Sequence, residues 1–269
     1  MPRFFGFTFL GFSVLHRAGG PVFSSSASHF FPHAADYALY RPDYPETLYQ
    51  WVLQHVRHFD TAWDCGTGNG QVASVLAKHF TCVEATDLSQ AQIDQAVALL
   101  NVHYRASPAE TTPFAENTFD LITVGQALHW FDFERFNNEV KRVAKKGAIL
   151  AVWGYELLNI SPEIDAVILD FYQHTVCDYW DPERRHIENE YADIPFPYTN
   201  IQKNVFPKTY DWTPELLCHY LNTWSSVRKY EKANGHNPIE VLFDQLKPLW
   251  GSSPTRRVTF PVFAQLGEV

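Results

Sequence analysis

The stretch that decides the fold is Asp64-Cys-Gly-Thr-Gly-Asn-Gly70. An acidic residue closes a short apolar segment, and three alternating glycines lead into a helical pattern that begins at Gln71. Glycine permits a tight turn and lets a ligand approach the backbone closely. A helix start offers free N–H groups and the positive end of its dipole. The pattern predicts a loop that binds a carboxylate or a phosphate, with a ligand-free tight turn as the alternative.

The spacing of the glycines narrows the choice of ligand. A dinucleotide fingerprint reads G-x-G-x-x-G, whereas here Gln71 stands where the third glycine is required and Gly70 comes one residue early. A phosphate-binding P-loop needs G-K-[ST], which does not follow this loop. The remaining pattern, D-x-G-x-G-x-G, is typical of class I methyltransferases. An NAD-dependent oxidoreductase stays as the rival enzyme class.

Apolar segments and helical patterns alternate on both sides of this loop. The predicted strands are Thr61–Cys65, Cys82–Thr86, Val102–Arg105, Phe119–Val124 and Ala148–Trp153, with late strands at Ile201–Tyr210 and Arg257–Leu266. The predicted helices are 45–58, Gln71–His79, Ser89–Leu100, Phe133–Lys145 and Ser161–His174, with further helices between about Thr213 and Trp250. Such alternation predicts an α/β, doubly wound fold whose parallel sheet carries helices on both faces. Residues 155–200 interrupt it and predict an inserted cap.

Polar residues follow three of the predicted strands. Asp87 ends the second strand, 23 residues after Asp64, where a carboxylate can accept both hydroxyls of a ribose. Ala109-Glu110 follows the third strand, in a loop expected over an adenine. The fourth strand runs into Gln126-Ala-Leu-His-Trp130, and side chains at the carboxyl end of a central strand fall in the ligand crevice. His129 is therefore a candidate catalytic residue.

Composition excludes several partner classes. The chain of 269 residues has a net charge of -9, and its basic residues form no run longer than a pair, so nucleic-acid binding is disfavoured. No apolar run could span a bilayer. The four cysteines show neither a C-x-x-C nor a Cys/His ligand spacing; they predict no metal site, no disulfide framework and a reducing, cytoplasmic location. Nothing indicates an oligomeric state.

The first 29 residues differ from the rest. They contain arginine but no acidic residue, are largely apolar from Phe4 to Leu15, and include a serine-rich run. This composition predicts either a targeting segment, which would make the protein organellar, or a tail that precedes the domain. The methyltransferase domain is predicted over residues 30–269.

Several stretches resemble the small-molecule methyltransferases related to trans-aconitate methyltransferase. They are Ala35–Pro45 (A-D-Y-A-L-Y-R-P-D-Y-P), Trp63–Gln71, Thr86–Gln92, Gln126–Phe131 (Q-A-L-H-W-F), Glu139–Trp153, Tyr179–Pro197 and Leu221–Ser225 (L-N-T-W-S). The resemblance covers nearly everything after residue 30. It implies a Rossmann-like methyltransferase fold with a mostly parallel seven-stranded sheet, S-adenosylmethionine as the cofactor, and a small-molecule methyl acceptor.

The resemblance also implies roles for individual residues. Gly66, Thr67 and Gly68 would lie against the methionine part of the cofactor, and Asp64 would hold their loop and reach the amino acid through water. Asp87 would bind the ribose, with Leu88, Ala109 and Glu110 around the adenine, and Gln92 would be a further cofactor contact. Gln126 would face the methionine end, and Tyr37 and Arg41 would close over the cofactor carboxylate. A methyltransferase-like binding protein without catalysis remains a further alternative.

The inserted cap suggests the acceptor. It begins at Tyr155 and contains Trp180 and the pair Arg184-Arg185, and with Trp130 these are the candidate substrate residues. An arginine can hold a carboxylate through two hydrogen bonds, although a solvated or salt-bridged pair is the other interpretation. A carboxylic acid methylated on oxygen would need no base. A hydroxyl or amine acceptor would need one, and His129 is the candidate.

Overall fold

A computed structural model describes residues 41–269, which form seven strands and nine α-helices. The strands are β1 Thr61–Cys65, β2 Cys82–Asp87, β3 Val102–Ala106, β4 Phe119–Gly125, β5 Ala144–Tyr155, β6 Thr199–Trp212 and β7 Arg256–Glu268. The helices are α1 Glu46–Leu53, α2 Gln71–Leu76, α3 Gln90–Ile93, α4 Phe133–Val143, α5 Pro162–Asp170, α6 Arg184–Glu188, α7 Pro214–Asn222, α8 Ser225–Asn234 and α9 Ile239–Trp250. The predicted 1–29 extension and Tyr37 lie outside the described residues.

All seven strands form one sheet in the order β3-β2-β1-β4-β5-β7-β6. Strands β1 to β5 pair in parallel, and β7 runs antiparallel to both β5 and β6. The chain winds outward from β1 to β3 and then returns to place β4 on the other side of β1. Ligands bind at such a reversal, in the crevice beyond the carboxyl ends of the strands. The predicted mostly parallel seven-stranded sheet is confirmed.

The core lies under the central strands and α4. Trp63 and Phe119 are fully buried against Phe136, and α4 adds Val140 and Val143 to the same cluster. Burying each such side chain contributes about 1.5–3 kcal/mol. Helix α4 begins at the cap residue Asp132, whose carboxylate accepts the Arg135 N–H at 3.1 Å. This hydrophobic cluster packs α4 against the central strands, β4 among them.

Helix α3 is shorter than its sequence pattern predicts. Ser89 caps it as expected, with its hydroxyl accepting the Gln92 N–H at 3.3 Å. The helix ends at Ile93 instead of continuing to Leu100. Ile93 is the buried residue of this helix. Beyond it, the side chain of Val97 is 64% exposed and that of Leu100 is fully exposed. The segment beyond Ile93 has no face to bury, so nothing holds it helical.

Two groups of helices interrupt the order of the later strands. The first, within the predicted insertion, contains α5, a π-helical turn at Phe171–Thr175 and α6, so the helix expected over Ser161–His174 is divided. The second, α7 to α9, lies in the β6–β7 connection. No helix among the described residues has both the length and the apolar character needed to cross a membrane.

Candidate active site

The glycine loop joins β1 to α2 in a left-handed backbone conformation, with φ values of +68°, +57° and +82° at Gly66, Gly68 and Gly70. A Cβ on Gly66 would lie 2.6 Å from the Cβ of Ala127, and one on Gly70 would collide with the Tyr104 ring. A Cβ on Gly68 would meet nothing within 4 Å. Two of the glycines therefore serve packing as well as the turn, whereas Gly68 faces open space.

Asp64 holds this loop from below. Its side chain is 1% exposed and accepts hydrogen bonds from Thr67 Oγ1 at 2.5 Å, Thr123 Oγ1 at 2.8 Å and the Ala73 amide at 3.1 Å. Burial raises the pKa of Asp64 to about 6 against the lowering effect of these hydrogen bonds. The carboxyl group ties β1, β4 and the start of α2 together.

Asp87 ends β2 beside the loop. Its Oδ2 accepts the Gly68 N–H at 2.9 Å and its Oδ1 accepts the Ser89 N–H at 2.8 Å. Each carboxylate oxygen keeps a second acceptor site. The carboxylate is thus fixed in orientation and still able to bind a ligand hydroxyl.

A cavity of about 340 Å³, the glycine-loop cavity, opens next to these groups. Its lining includes eight of the predicted cofactor residues: Arg41, Asp64, Gly66, Thr67, Gly68, Asp87, Gln92 and Gln126. Tyr44, which sequence reasoning did not assign, lies on its wall. The volume falls within the range of small-molecule sites.

Three predicted cofactor residues lie outside this lining. Leu88 is 76% exposed at the end of β2. Ala109 packs in the core, 5% exposed, and Glu110 Oε1 accepts the Asp132 N–H at 2.9 Å. Their placement around an adenine stays a prediction.

A second cavity of about 180 Å³, the His129 cavity, adjoins the first. Arg41, Gln126, Trp130 and Tyr155 line both. Gln126 has a positive φ of 54°, a strained backbone for a residue other than glycine. Its Oε1 accepts the Tyr155 N–H at 2.8 Å, which joins the ends of β4 and β5. Gln126 therefore stands where the two cavities meet.

His129 lies on the short 3₁₀ turn after β4 and is 5% exposed. Its Nδ1 is 3.1 Å from the hydroxyl of Tyr191. Burial lowers the pKa of His129 to about 3, and the positive charge of Arg184 adds to the effect. The imidazole is neutral at physiological pH and can exchange hydrogen bonds with a ligand.

Arg184 points into the His129 cavity from α6. Its guanidinium carbon lies 5.0 Å from the ring centre of Trp180 and 5.6 Å from that of Tyr172. Its Nε donates to the Tyr172 hydroxyl at 3.1 Å, and that hydroxyl donates to the carboxylate of Glu188. The arginine head is therefore fixed by two rings and one hydrogen-bonded chain.

Arg185 does not share this position. It is exposed and lines a third cavity, which Arg184 also lines, but it does not line the His129 cavity. Consecutive residues of a helix are about 100° apart, so only one of the pair can face the His129 cavity. Of the predicted pair, Arg184 lines the His129 cavity and Arg185 does not, and the substrate role of each stays a prediction.

Comparison with known proteins identifies the family. Residues 63–152 match the family described as a methyltransferase domain. A candidate methyltransferase of Dictyostelium discoideum is 34% identical over 240 residues, which cover 86% of this chain and 91% of that protein. The structure of a candidate type II methyltransferase from Anaeromyxobacter dehalogenans is 35% identical, with a TM-score of 0.78 over 85% of this chain and 97% of that one. The chain belongs to the class I S-adenosylmethionine-dependent methyltransferases. An uncharacterized methyltransferase of Schizosaccharomyces pombe is also similar, at 30% identity over 85% of this chain and 91% of that protein.

The His129 cavity of this methyltransferase is also lined by residues to which sequence reasoning gave no role. Tyr220, Thr223 and Trp224 reach it from the end of α7. The ring of Trp224 lies 5.4 Å from that of Trp180. These residues come some 70 positions after Tyr155, so their distance in the sequence hides their place in the cavity. The one sequence feature that could have indicated them is the resemblance of Leu221–Ser225 to small-molecule methyltransferases.

Proposed function

We propose that this methyltransferase binds S-adenosylmethionine in the glycine-loop cavity and methylates a carboxylate oxygen of a small acid held in the His129 cavity. The observation that carries the proposal is that the two cavities meet at Arg41, Gln126, Trp130 and Tyr155. A donor in one and an acceptor in the other would face each other there, and such alignment supplies much of the rate of a bimolecular transfer.

The residues of the glycine-loop cavity fit this cofactor. The open side of Gly68 leaves room for a ligand against the backbone. The fixed carboxylate of Asp87 offers acceptors to a pair of ribose hydroxyls, and Arg41 brings a cation suited to a carboxylate. When bound, the cofactor supplies a methyl group already activated by its sulfonium, so the protein has mainly to orient the acceptor and exclude water.

The His129 cavity favours a small acid. Its volume of about 180 Å³ admits a small molecule but not a protein surface. The fixed guanidinium of Arg184 can hold a carboxylate through two hydrogen bonds. Trp180, Tyr155 and Trp224 supply apolar walls beside it.

The acid–base properties of His129 support a carboxylate acceptor over a hydroxyl or an amine. An acceptor that must lose a proton needs a base whose pKa lies near the working pH. The pKa of His129, lowered to about 3 by burial, is far below that range. A carboxylate has no proton to lose, so His129 then acts as a hydrogen-bonding contact.

Calorimetry on the full chain tests the cofactor. S-adenosylmethionine and its demethylated product should bind with a stoichiometry of one, and NAD should give no heat. Preferential binding of NAD would overturn the assignment and return the chain to the oxidoreductase class.

Methyl transfer tests the substrate class. Radiolabelled methyl donor is offered with a panel of small mono-, di- and tricarboxylic acids and with the alcohol and amine that match each acid. We expect label in an alkali-labile ester from at least one acid and from none of the matched alcohols or amines. Transfer to an alcohol or amine alone would refute the carboxylate. Cofactor binding without transfer to any member of the panel would favour the alternative of a binding protein.

A further inference from the structure

Three side chains with metal-binding chemistry meet on the outer strands of the sheet. Cys82 and Glu84 lie two residues apart on β2 and so share one face of the sheet. His103 on β3 pairs in register with Glu84. The cysteine sulfur, a carboxylate oxygen and an imidazole nitrogen of this group all lie within 4.8 Å of one another.

The cluster is rigid at its base and open above. Glu84 and His103 belong to five consecutive parallel pairs between β2 and β3, and Cys82 pairs with Thr61 on β1. His103 is exposed, whereas Cys82 and Glu84 are half-buried. An ion from solvent can therefore reach the group.

Glu84 lacks the partners that a buried carboxylate needs. Its Oε2 is buried and has no hydrogen-bond partner among the described residues. The charged groups nearest to Glu84 are His103 and Arg105, which act on it only through space. Neither forms an ion pair with Glu84 within 4.0 Å in the described part of the chain. Arg105 lies instead over the Phe114 ring, 5.8 Å from its centre. A buried acceptor left without a hydrogen bond is destabilising, and a bound cation would remove that cost.

We propose that Cys82, Glu84 and His103 form a binding site for a zinc-class divalent cation, with the fourth position open to water. Thiolate, imidazole and carboxylate are the three ligand types that zinc takes in proteins. Magnesium and calcium require oxygen ligands, so the thiol selects against them. On binding, the metal–sulfur bond replaces the S–H bond of Cys82 and the proton passes to solvent.

Cobalt(II) is the probe, because a cobalt–thiolate bond gives a charge-transfer band in the near ultraviolet. The reduced full chain, without an affinity tag, is titrated with cobalt and then with zinc. We expect one equivalent of cobalt to produce the band and zinc to abolish it. Absence of the band in the wild-type protein overturns the proposal.

Cysteine variants locate the band. Cys82→Ser should abolish it, whereas Cys177→Ser should keep it, since Cys177 is an exposed cysteine outside the cluster. A band that survives in Cys82→Ser, or disappears in Cys177→Ser, refutes the assignment. Circular dichroism and S-adenosylmethionine binding check that each variant is folded. The cobalt and zinc titrations do not depend on whether the proposed methyl transfer is correct.

Variants of the other two ligands test the geometry. Glu84→Gln and His103→Asn should each weaken zinc binding at least about tenfold by calorimetry, because even supporting residues of metal sites contribute on that scale. The exposed His58 is the control: His58→Asn should bind zinc like the wild type. Unchanged affinity in both Glu84→Gln and His103→Asn would mean that the cluster does not coordinate the ion.

Discussion

The carboxylate of Asp87 accepts a hydrogen bond from the amide of Gly68, with Oδ2 2.9 Å from the nitrogen. This contact joins the end of β2 to the loop that follows β1. Ser89 N–H binds the other oxygen at 2.8 Å. The proposed ribose-binding group is therefore also a brace of the glycine loop, and its removal should disturb both.

Asp87→Ala should weaken S-adenosylmethionine binding by about 2–4 kcal/mol, since two charge-assisted hydrogen bonds to the ribose would be lost. Asp87→Asn keeps the shape of the side chain and should lose less. Calorimetry measures both, with Asp94→Ala as a control on an exposed carboxylate that pairs with Gln90. Wild-type affinity in Asp87→Ala would mean that the carboxylate binds no part of the cofactor.

Gly68→Ala should reduce cofactor affinity more than it reduces stability. A Cβ there would enter open space at the glycine-loop cavity, at a φ of +57°. Gly235 is the matched control, because it has a φ of +75°, equally free space around a Cβ, and a place at the end of α8 away from both cavities. Each alanine should cost about 1–2 kcal/mol of stability in chemical unfolding, but only Gly68→Ala should lose cofactor binding. Equal binding by the two variants would show that the loop does not contact a ligand.

The sequence predicts the strands and the glycine-loop side of the site for a physical reason. Strands β1 and β4 are short and largely buried, Asp64 and Asp87 lie at the carboxyl ends of β1 and β2, and Gly68 lies in the loop that follows β1. In a parallel sheet, consecutive strand ends meet at one edge. The local sequence pattern that marks a strand end therefore also predicts which residues lie at the glycine-loop cavity.

The remaining features depend on contacts that local pattern does not encode. Arg184 lines the His129 cavity and Arg185 does not, although both line the third cavity. Packing of α7 brings Trp224 to Trp180. Strand register alone sets Glu84 beside His103, 19 residues later in the chain, so no spacing rule for metal ligands detects that pair.

Arg184→Ala should raise the Michaelis constant of the acid substrate at least about tenfold and leave that of the cofactor nearly unchanged, because the lost contact holds only the acceptor. Arg185→Ala removes the same charge from the exposed neighbour, which does not line the His129 cavity, and should change neither constant. Steady-state kinetics with the acid that emerges from the substrate panel measure both. Equal effects of the two substitutions would point to a general effect of charge and against a specific contact.

Tyr172→Phe should weaken acceptor binding by a smaller amount than Arg184→Ala. The phenol joins the Arg184 Nε to the carboxylate of Glu188, and its loss leaves the ring stacking in place. The loss of one such hydrogen bond corresponds to about 1 kcal/mol, or roughly fivefold in the substrate constant. An unchanged constant would mean that ring stacking alone orients the arginine.

Protonation of His129 should make the fold sensitive to acid. In the folded chain its pKa is about 3, because the imidazole is buried beside Tyr191 and near Arg184, whereas an unfolded histidine titrates near about 6.5. Below that pH the unfolded chain takes up a proton that the folded chain refuses, so the free energy of unfolding falls as the pH falls. Between about pH 7 and about pH 5 this contribution is about 2 kcal/mol. Asp64 has the opposite effect on the free energy of unfolding. Its pKa, raised to about 6, lets the folded chain bind a proton at a higher pH than the unfolded chain does.

Comparing the wild type with His129→Gln isolates the contribution of His129 to the pH dependence of the free energy of unfolding. Urea unfolding at both pH values should show that His129→Gln loses about 2 kcal/mol less stability on acidification than the wild type. Glutamine can still exchange a hydrogen bond with the Tyr191 hydroxyl, so the comparison separates titration from packing. His58→Gln, at an exposed position, should keep the wild-type difference. If His129→Gln loses as much stability as the wild type, the buried imidazole is protonated in the folded chain, and the argument against His129 as a base fails with it.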